Sequence, residues 1–133
     1  MTNRDRQVLE HILVHCEKVA RSLRRFGYDY DLFCSDNDYC DSVSMKIFQI
    51  GELSKLLTDD FVVDTLDEIP WNDIKGMRNF FAHEYADMDI DEIWNTATRD
   101  IPGLERFCLN RLEVDDPNYH LEDVELNDGD YCL

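Results

Sequence analysis

This sequence of 133 residues lacks the patterns that identify several common classes of protein. Its five cysteines form no Cys-x-x-Cys pair and no spacing typical of a zinc site or a disulfide framework, so reduced thiols are the simplest interpretation. No apolar run is long enough to cross a bilayer, and the N-terminus has no apolar block like that of a signal peptide. A glycine-rich phosphate loop and a Gly-x-Ser-x-Gly elbow are also missing. We therefore expect a cytoplasmic protein that has no membrane segment, no metal and no cofactor.

Positive charge is scarce as well. Lys and Arg number 13 against 30 Asp and Glu, which gives a net charge of −17. Nonspecific binding of nucleic acids depends on basic surface, so any RNA site must be local. Residues 113–133 contain no Lys or Arg and eight acids: Glu113, Asp115, Asp116, Glu122, Asp123, Glu125, Asp128 and Asp130. We expect one domain over residues 1–112 and an acidic, flexible tail over residues 113–133, either simply solvated or partner-binding.

Apolar residues recur every three or four positions in the first half of the chain, as in helices with one buried face. The first such helix covers about residues 3–26 and ends at Gly27. Its predicted buried face consists of Leu9, Ile12, Leu13, Cys16, Val19, Ala20 and Leu23. A loop from Tyr28 to Cys34 then leads to an N-cap at Ser35 and a second helix that runs to about Leu57. Its predicted buried stripe consists of Val43, Ile47, Ile50, Ser54 and Leu57.

The second half continues the helical pattern. Residues 58–68 fit either a short helix or a structured loop. Pro70 suits the first position of a third helix, and Asp89 with Glu92 predicts the start of a fourth. Pro102 falls within the apolar face of the fourth helix, where it predicts a kink or a break. No segment alternates with the period of a strand, so the sequence predicts an all-α, antiparallel bundle.

The segment over residues 71–85 carries the most useful chemistry; it reads Trp-Asn-Asp-Ile-Lys-Gly-Met-Arg-Asn-Phe-Phe-Ala-His-Glu-Tyr. An imidazole such as that of His83, with an ordinary pKa of about 6.5, can exchange protons at neutral pH, and the guanidinium of Arg78 can hold a phosphate by two hydrogen bonds. Together they suit cleavage of a phosphodiester by the ribose 2′-hydroxyl without a metal. On a straight helix the two side chains diverge by about 140°. They converge if the helix turns, if the arginine wraps round, or if a second subunit contributes its copy.

The residues alone leave other interpretations open. Arg78 could pair with a surface acid such as Glu84, while His83 and Tyr85 pack at a helix end. His11 and His15 have the four-residue spacing of a metal pair, but they are expected on the polar side of the first helix and no cluster completes a site. We therefore predict no metal site.

A resemblance to a known family separates these alternatives. Residues 78–85 resemble the Arg-x4-His-x-Tyr signature of HepT toxins in the HEPN superfamily, including the polar Asn79 after the arginine. Ile50-Gly51-Glu52 resembles the Ile-Gly-Glu element of that family. Further similarities, in the same order, are Trp71, Ile74, Gly76-Met77, Ile93-Trp94 and Asp100-Ile101-Pro102. The resemblance covers roughly residues 5–112.

The resemblance implies a homodimeric four-to-five-helix HEPN bundle that acts as an endoribonuclease toxin in a type VII-like toxin–antitoxin system. It implies that Arg78 binds the scissile phosphate, that His83 is the general acid or base, and that Asn79 orients or polarises. Tyr85 would receive AMP from an MntA-type nucleotidyltransferase antitoxin. Glu52 would lie near the cleft, either in a supporting role or as a carboxylate that buttresses its helix.

A second function class stays open, a non-catalytic HEPN protein that presents substrate to a nucleotidyltransferase. The intact Arg78 and His83 favour the nuclease, and the acidic surface favours the binding protein.

Overall fold

The computed structural model describes residues 1–76 and 89–119, which are helical and include no strand. The α-helices are α1 (Asn3–Arg25), α2 (Tyr30–Ser35), α3 (Asn37–Ser54), α4 (Asp59–Thr65), α5 (Trp71–Gly76), α6 (Ile90–Asn95) and α7 (Ile101–Asp115). A π-helical turn over Thr96–Asp100 joins α6 to α7. The all-α prediction is confirmed. None of the described helices has both the length and the apolar character that crossing a bilayer requires.

Helix α1 lies at the centre of the bundle, because it packs against both α3 and α7. Two neighbours bury a wider face than the predicted single stripe, and that face includes His15, which is only 2% exposed. The prediction that His15 lies on the polar side of α1 is therefore wrong. Its Nδ1 lies 2.9 Å from the carbonyl oxygen of His11, and burial lowers the pKa of His15.

The segment between α1 and α3 corrects a second expectation. Where the sequence predicted a loop, the six-residue helix α2 begins after its N-cap, Asp29. Ser35 is the last residue of α2, and the N-cap of α3 is Asp36, whose carboxylate accepts the backbone N–H of Tyr39 at 3.1 Å. The predicted stripe of the second helix is confirmed: Val43, Ile47, Ile50, Ser54 and Leu57 are all buried. The ambiguous stretch that follows contains helix α4.

A buried carboxylate joins the beginnings of α1 and α4. Asp5 is 1% exposed, and it accepts the backbone N–H and the hydroxyl of Thr58 at 2.8 Å each. It also accepts the backbone N–H of Thr2 at 3.3 Å and its hydroxyl at 3.0 Å. Burial alone raises the pKa of Asp5, but the hydrogen bonds from Thr58 and Thr2 outweigh it and lower the pKa below its ordinary 3.8.

In place of the kink or break predicted at Pro102, the structure has a π-helical turn just ahead of that residue. Pro102 has no N–H, and its ring crowds the carbonyl four residues earlier, so ordinary α-helical bonding cannot pass through it. The backbone N–H of Ile101 bonds instead to the carbonyl of Thr96, five residues back. The π-helical turn therefore lets one helical run continue from α6 into α7.

The described structure continues past the predicted domain boundary at residue 112. The guanidinium of Arg6 on α1 donates to Asp115 at 3.0 Å and to Asp116 at 3.3 Å. Tyr119 is buried, with 8% of its surface exposed. The division into residues 1–112 and a tail over 113–133 stays a prediction, and residues 120–133 lie outside the described part of the chain.

Candidate active site and its flanks

The four motif residues predicted from the sequence, Arg78, Asn79, His83 and Tyr85, lie in residues 77–88, outside the described residues. The structure describes both flanks of this segment. Gly76 is the last residue of α5, and Asp89 is the N-cap of α6. The anchoring of these two helices therefore fixes the positions of the two residues, Gly76 and Asp89, to which residues 77–88 are joined.

Helix α5 is anchored by its first residue. The indole of Trp71 is fully buried, and its Nε1 donates to the hydroxyl oxygen of Thr65 at 2.8 Å. That hydroxyl donates in turn to the carbonyl of Phe61 at 2.8 Å, so α4 and α5 share a continuous hydrogen-bonded chain. The ring of Phe107 on α7 contacts the indole edge to face, with the ring centroids 5.8 Å apart. These contacts fix the direction in which α5 leads into the motif segment.

Helix α6 is anchored by a cap and by aromatic packing. The carboxylate of Asp89 accepts two backbone N–H groups from the first turn, at 3.0 and 3.3 Å. The hydroxyl of Tyr30 donates to the carboxylate of Asp91, and that hydrogen bond raises the pKa of Tyr30. The ring of Trp94 packs on Phe33 of α2, with the ring centroids 5.1 Å apart. Helix α2, which the sequence did not predict, therefore positions the far end of the motif segment.

An open cleft of about 630 Å³ lies between the two anchored helices. Its described lining residues, which we call the acidic cleft, are Asn72, Asp73, Gly76, Asp89, Asp91, Glu92, Asn95, Thr96 and Asp100. Five of these nine residues carry carboxylates and none is Lys or Arg. The described lining is therefore acidic beside both ends of residues 77–88.

Sequence reasoning did not identify this cleft. Glu92, Thr96 and Asp100 recur at four-residue spacing, which is a signal for one helical face and could have revealed one wall. The opposite wall, with Asp73, belongs to a different helix, and only the folded chain brings the two together.

Glu52 is the one predicted site residue within the described part. It is half-buried on α3, and its carboxylate lies 3.5 Å from Nζ of Lys55. Helix α3 packs against α5, so Glu52 lies on an element in contact with the helix that leads into the motif. Its supporting role stays a prediction. Within residues 1–76 and 89–119, no group of three His, Cys, Asp or Glu side chains could hold a metal ion.

Comparison with known proteins gives the family. The model of the family described as Ribonuclease HepT-like matches residues 12–110. This chain belongs to that family. The resemblance to HepT-type HEPN proteins is thereby confirmed, and the chain is classed as a HEPN ribonuclease. The matched range runs from within α1 into α7 and includes all the predicted site residues.

Several curated relatives are similar to this HepT-like chain. A Caldanaerobacter subterraneus protein named "Putative RNase" is 33% identical over 101 residues, covering 76% of this chain and 88% of the relative. A Thermococcus cleftensis protein named "Probable ribonuclease HepT" is 30% identical over 96 residues, covering 68% and 86%. A Methanocaldococcus jannaschii protein, also named "Putative RNase", is 26% identical over 83 residues, covering 56% and 75%. No solved structure gives a significant match.

Proposed function

We propose that this HepT-like protein is the toxin of a toxin–antitoxin pair, a homodimeric endoribonuclease that cleaves RNA without a metal ion. The observation that carries the proposal is the Arg78, His83 and Tyr85 pattern, which lies inside the range matched by the ribonuclease family. The fixed ends of the segment support it, since a catalytic group must be held in place to act.

The proposed reaction is an internal transesterification. The ribose 2′-oxygen attacks the adjacent phosphorus as its proton passes to a base, and the bond to the 5′-oxygen of the next nucleotide breaks as that oxygen gains a proton. The products are a 2′,3′-cyclic phosphate and a 5′-hydroxyl, and no water is consumed. His83 moves the proton, Arg78 holds the nonbridging oxygens by two charge-assisted hydrogen bonds, and Asn79 orients the phosphate. Glu52 supports the site from α3.

A dimer completes this site. On a straight helix Arg78 and His83 point about 140° apart, and a second copy of the motif brings the two kinds of group together across the interface. With two copies of His83 in a shared cleft, one imidazole accepts the proton of the 2′-hydroxyl while the other protonates the leaving oxygen. The interface includes the predicted helices on both sides of the motif. Light scattering at micromolar concentration should show a dimer, and a strictly monomeric protein would remove this part of the proposal.

Tyr85 is the proposed point of control. In a reaction catalysed by a nucleotidyltransferase antitoxin, its phenolic oxygen attacks the α-phosphorus of ATP, and pyrophosphate leaves. The attached AMP brings an anion beside Arg78, where it competes with the RNA phosphate. Co-expression with the antitoxin should add one or more AMP masses to the wild type and none to Tyr85→Phe. Tyr28→Phe, which changes an exposed tyrosine, serves as the matched control and should still be modified. Silencing of the wild type without a change in mass would contradict this route.

The cleavage chemistry is tested with purified protein and a 5′-end-labelled RNA, because the label then stays on the fragment that carries the new 3′ end. Cleavage should persist in EDTA and should leave 2′,3′-cyclic phosphate ends. Activity that is lost on chelation and restored by Mg²⁺ or Mn²⁺ would overturn the metal-free mechanism.

A specific observation favours a second candidate, a non-catalytic protein that binds a nucleotidyltransferase. The five carboxylates of the acidic cleft flank the motif and repel the phosphates of RNA. Under this alternative the purified protein cleaves no RNA at any concentration, yet it binds the nucleotidyltransferase and raises its activity.

A further inference from the structure

The solvent-facing side of α1 carries a row of positive charge, in a chain whose net charge is −17. Lys18, Arg21 and Arg25 recur at spacings of three and four residues, so they share one face of the helix, opposite the buried face. Seven residues of α-helix rise by about 10.5 Å, so the three cations follow one another over two turns. Residues 18–25 include no Asp or Glu. This face of α1 is therefore basic, although the chain as a whole is acidic.

A fourth cation comes from the neighbouring helix α3. Nζ of Lys46 donates to the hydroxyl of Ser42 at 2.6 Å. Burial lowers the pKa of Lys46, and the charge of Lys18 lowers it further, so the two ammonium groups lie near each other across the contact between α1 and α3. A bound polyanion would relieve the repulsion between them. We call these four residues the basic strip: Lys18, Arg21, Arg25 and Lys46.

An exposed aromatic ring lies at the end of the basic strip. The backbone N–H of Tyr28 donates to the carbonyl of Leu23 at 2.9 Å, which closes the end of α1. Tyr28 has a φ of 55°, a left-handed conformation that is uncommon for a residue with a side chain, and it is 52% exposed. Beside it, the guanidinium of Arg25 lies 5.7 Å from the centroid of the Phe26 ring. Exposed rings next to cations are the combination with which proteins bind single-stranded nucleic acids.

The helix dipole explains only part of this arrangement. It favours cations in the last turn of a helix, where Arg24 and Arg25 lie, and Arg24 also pairs with Glu17 at 3.2 Å. Lys18 lies two turns earlier and Lys46 lies on another helix, so the dipole of α1 accounts for neither. It does not require an exposed ring either.

The end of the basic strip leads towards the proposed catalytic motif. Tyr30, the first residue of α2, donates its hydroxyl to the carboxylate of Asp91 on α6. Its ring contacts that of Trp94 edge to face, with the ring centroids 5.6 Å apart. Asp89, two residues before Asp91, is joined to residue 88. The turn after α1 therefore lies on the same side of the bundle as one flank of residues 77–88.

We propose that the basic strip and Tyr28 bind a single-stranded segment of the RNA substrate beside the active site. The cations take successive phosphates, and the guanidinium groups of Arg21 and Arg25 each hold one by two hydrogen bonds. The ring of Tyr28 stacks on a base. Because every base has a face for stacking, the surface selects single strands and not a sequence. This inference rests on the proposed function, since the strand bound here is the one cleaved at Arg78 and His83.

The first test measures binding apart from cleavage. The probe is a fluorescently labelled single-stranded RNA of about 12 nucleotides, titrated with full-length His83→Ala protein at several salt concentrations and followed by anisotropy. The strip variant adds Arg21→Gln and Arg25→Gln. The control adds Arg106→Gln and Arg111→Gln, which remove the same charge from α7.

The strip variant should bind about tenfold more weakly than its parent, and the control within about twofold. Two lost phosphate contacts should also lower the slope of log K against log salt by about 1.4, as expected for a single strand. Equal losses of affinity in the two variants would reduce the effect to net charge and overturn the proposal.

The ring is tested separately, because charge alone does not require it. Tyr28→Ala should weaken binding of the single strand about tenfold, while Tyr28→Phe, which keeps the ring, should stay within about twofold of its parent. Thermal unfolding of both variants checks that the fold is intact. Unchanged binding by a folded Tyr28→Ala would contradict stacking on this ring. A duplex RNA that binds as tightly as the single strand would contradict the selection of single strands.

Cleavage kinetics distinguish a failure of this inference from a failure of the proposed function. With His83 intact, the Arg21→Gln, Arg25→Gln variant should raise KM about tenfold and leave kcat within about twofold, since the strip holds RNA away from the reacting atoms. A wild-type nuclease whose KM is unchanged in this variant would overturn the inference alone. A wild-type protein that cleaves no RNA, yet binds it through the strip, would contradict the proposed function and leave the binding surface supported.

Discussion

The core of the bundle and the acidic cleft use their side chains in opposite ways. In the core, where α1 packs on α3 and α7, even the polar Asp5 is buried with its hydrogen bonds made by Thr2 and Thr58. In the cleft, the carboxylates of Asp73, Glu92 and Asp100 are exposed and make no hydrogen bond or ion pair with the described residues. A core gains stability by satisfying its groups internally, whereas a binding surface must leave some of them for a ligand. This difference supports the proposal that the function of this chain depends on the α5–α6 side, and each prediction below tests that division.

The largest effect is expected at the motif between the two cleft helices. His83→Ala should lower the rate of RNA cleavage by a factor of about 10² to 10⁴, the usual contribution of a general acid or base, and Arg78→Ala should lower it comparably. Neither should alter the free energy of unfolding by more than about 0.5 kcal/mol. Cleavage rate and urea denaturation are measured on the same preparations. His11→Ala on α1 serves as a control and should keep full activity. Unchanged cleavage by the Arg78→Ala, His83→Ala double variant would place the active site elsewhere.

The next largest effect is expected in the core. There a substitution should lower the stability of the protein and leave the cleavage activity of the folded protein unchanged. Ile47 on α3 is fully buried, so Ile47→Ala should cost about 2 to 5 kcal/mol of unfolding free energy through lost burial and the remaining cavity. Leu66, which follows α4, is 48% exposed. Leu66→Ala should therefore change the unfolding free energy by less than about 0.5 kcal/mol. The folded fraction of Ile47→Ala should keep its specific cleavage activity. Equal destabilisation by both variants would contradict the burial of this face.

The same division explains what could be predicted from the sequence. The periodicity of α1 and α3 is strong, because long helices repeat their buried spacing over several turns. Helix α2 has six residues, fewer than two turns, so no periodicity could reveal it. His15 was assigned to the wrong side of α1. A single buried stripe is expected for a helix that packs against one neighbour, whereas α1 packs against two and buries a wider face.

The candidate site divides in the same way. Arg78, His83 and Tyr85 could be predicted because they form a motif, and a motif can be identified from the sequence without the fold. The acidic cleft joins Asp73 of α5 to Glu92 of α6, and that juxtaposition exists only in the folded chain.

A smaller effect should come from the buried carboxylate of the core. Asp5→Asn removes an acceptor oxygen that Thr2 and Thr58 share, and should cost about 1 to 3 kcal/mol at neutral pH. The folded pKa of Asp5 lies below its ordinary 3.8. The stability that ionised Asp5 contributes is therefore fully present above the pKa that Asp5 has in the unfolded chain. It is lost as the pH falls through the pKa of Asp5 in the folded protein. Urea denaturation at several pH values should show the gap between wild type and Asp5→Asn closing below about pH 4. Asp67→Asn, an exposed control, should show a negligible gap at every pH, and a gap for Asp5→Asn that persists at low pH would contradict an ionised Asp5.

The smallest effects should come from two glycines, one at the end of the central helix and one beside the π-helical turn. Gly27 follows α1 with a φ of 67°, in the left-handed region that strains an L side chain. Gly27→Ala should therefore destabilise the protein by about 1 kcal/mol, even though an added Cβ meets nothing within 4 Å.

Gly103 lies in the first turn of α7, and a Cβ there also meets nothing within 4 Å. Because its backbone is helical, Gly103→Ala should stabilise the protein by about 0.5 to 1 kcal/mol, through the lower entropy of the unfolded chain. Since an added Cβ has open space at both positions, the opposite signs of the two stability changes would come from backbone conformation and not from packing. Thermal unfolding should move the two midpoints in opposite directions, and a shift of the same sign in both would mean that contacts with residues beyond the described core determine the outcome.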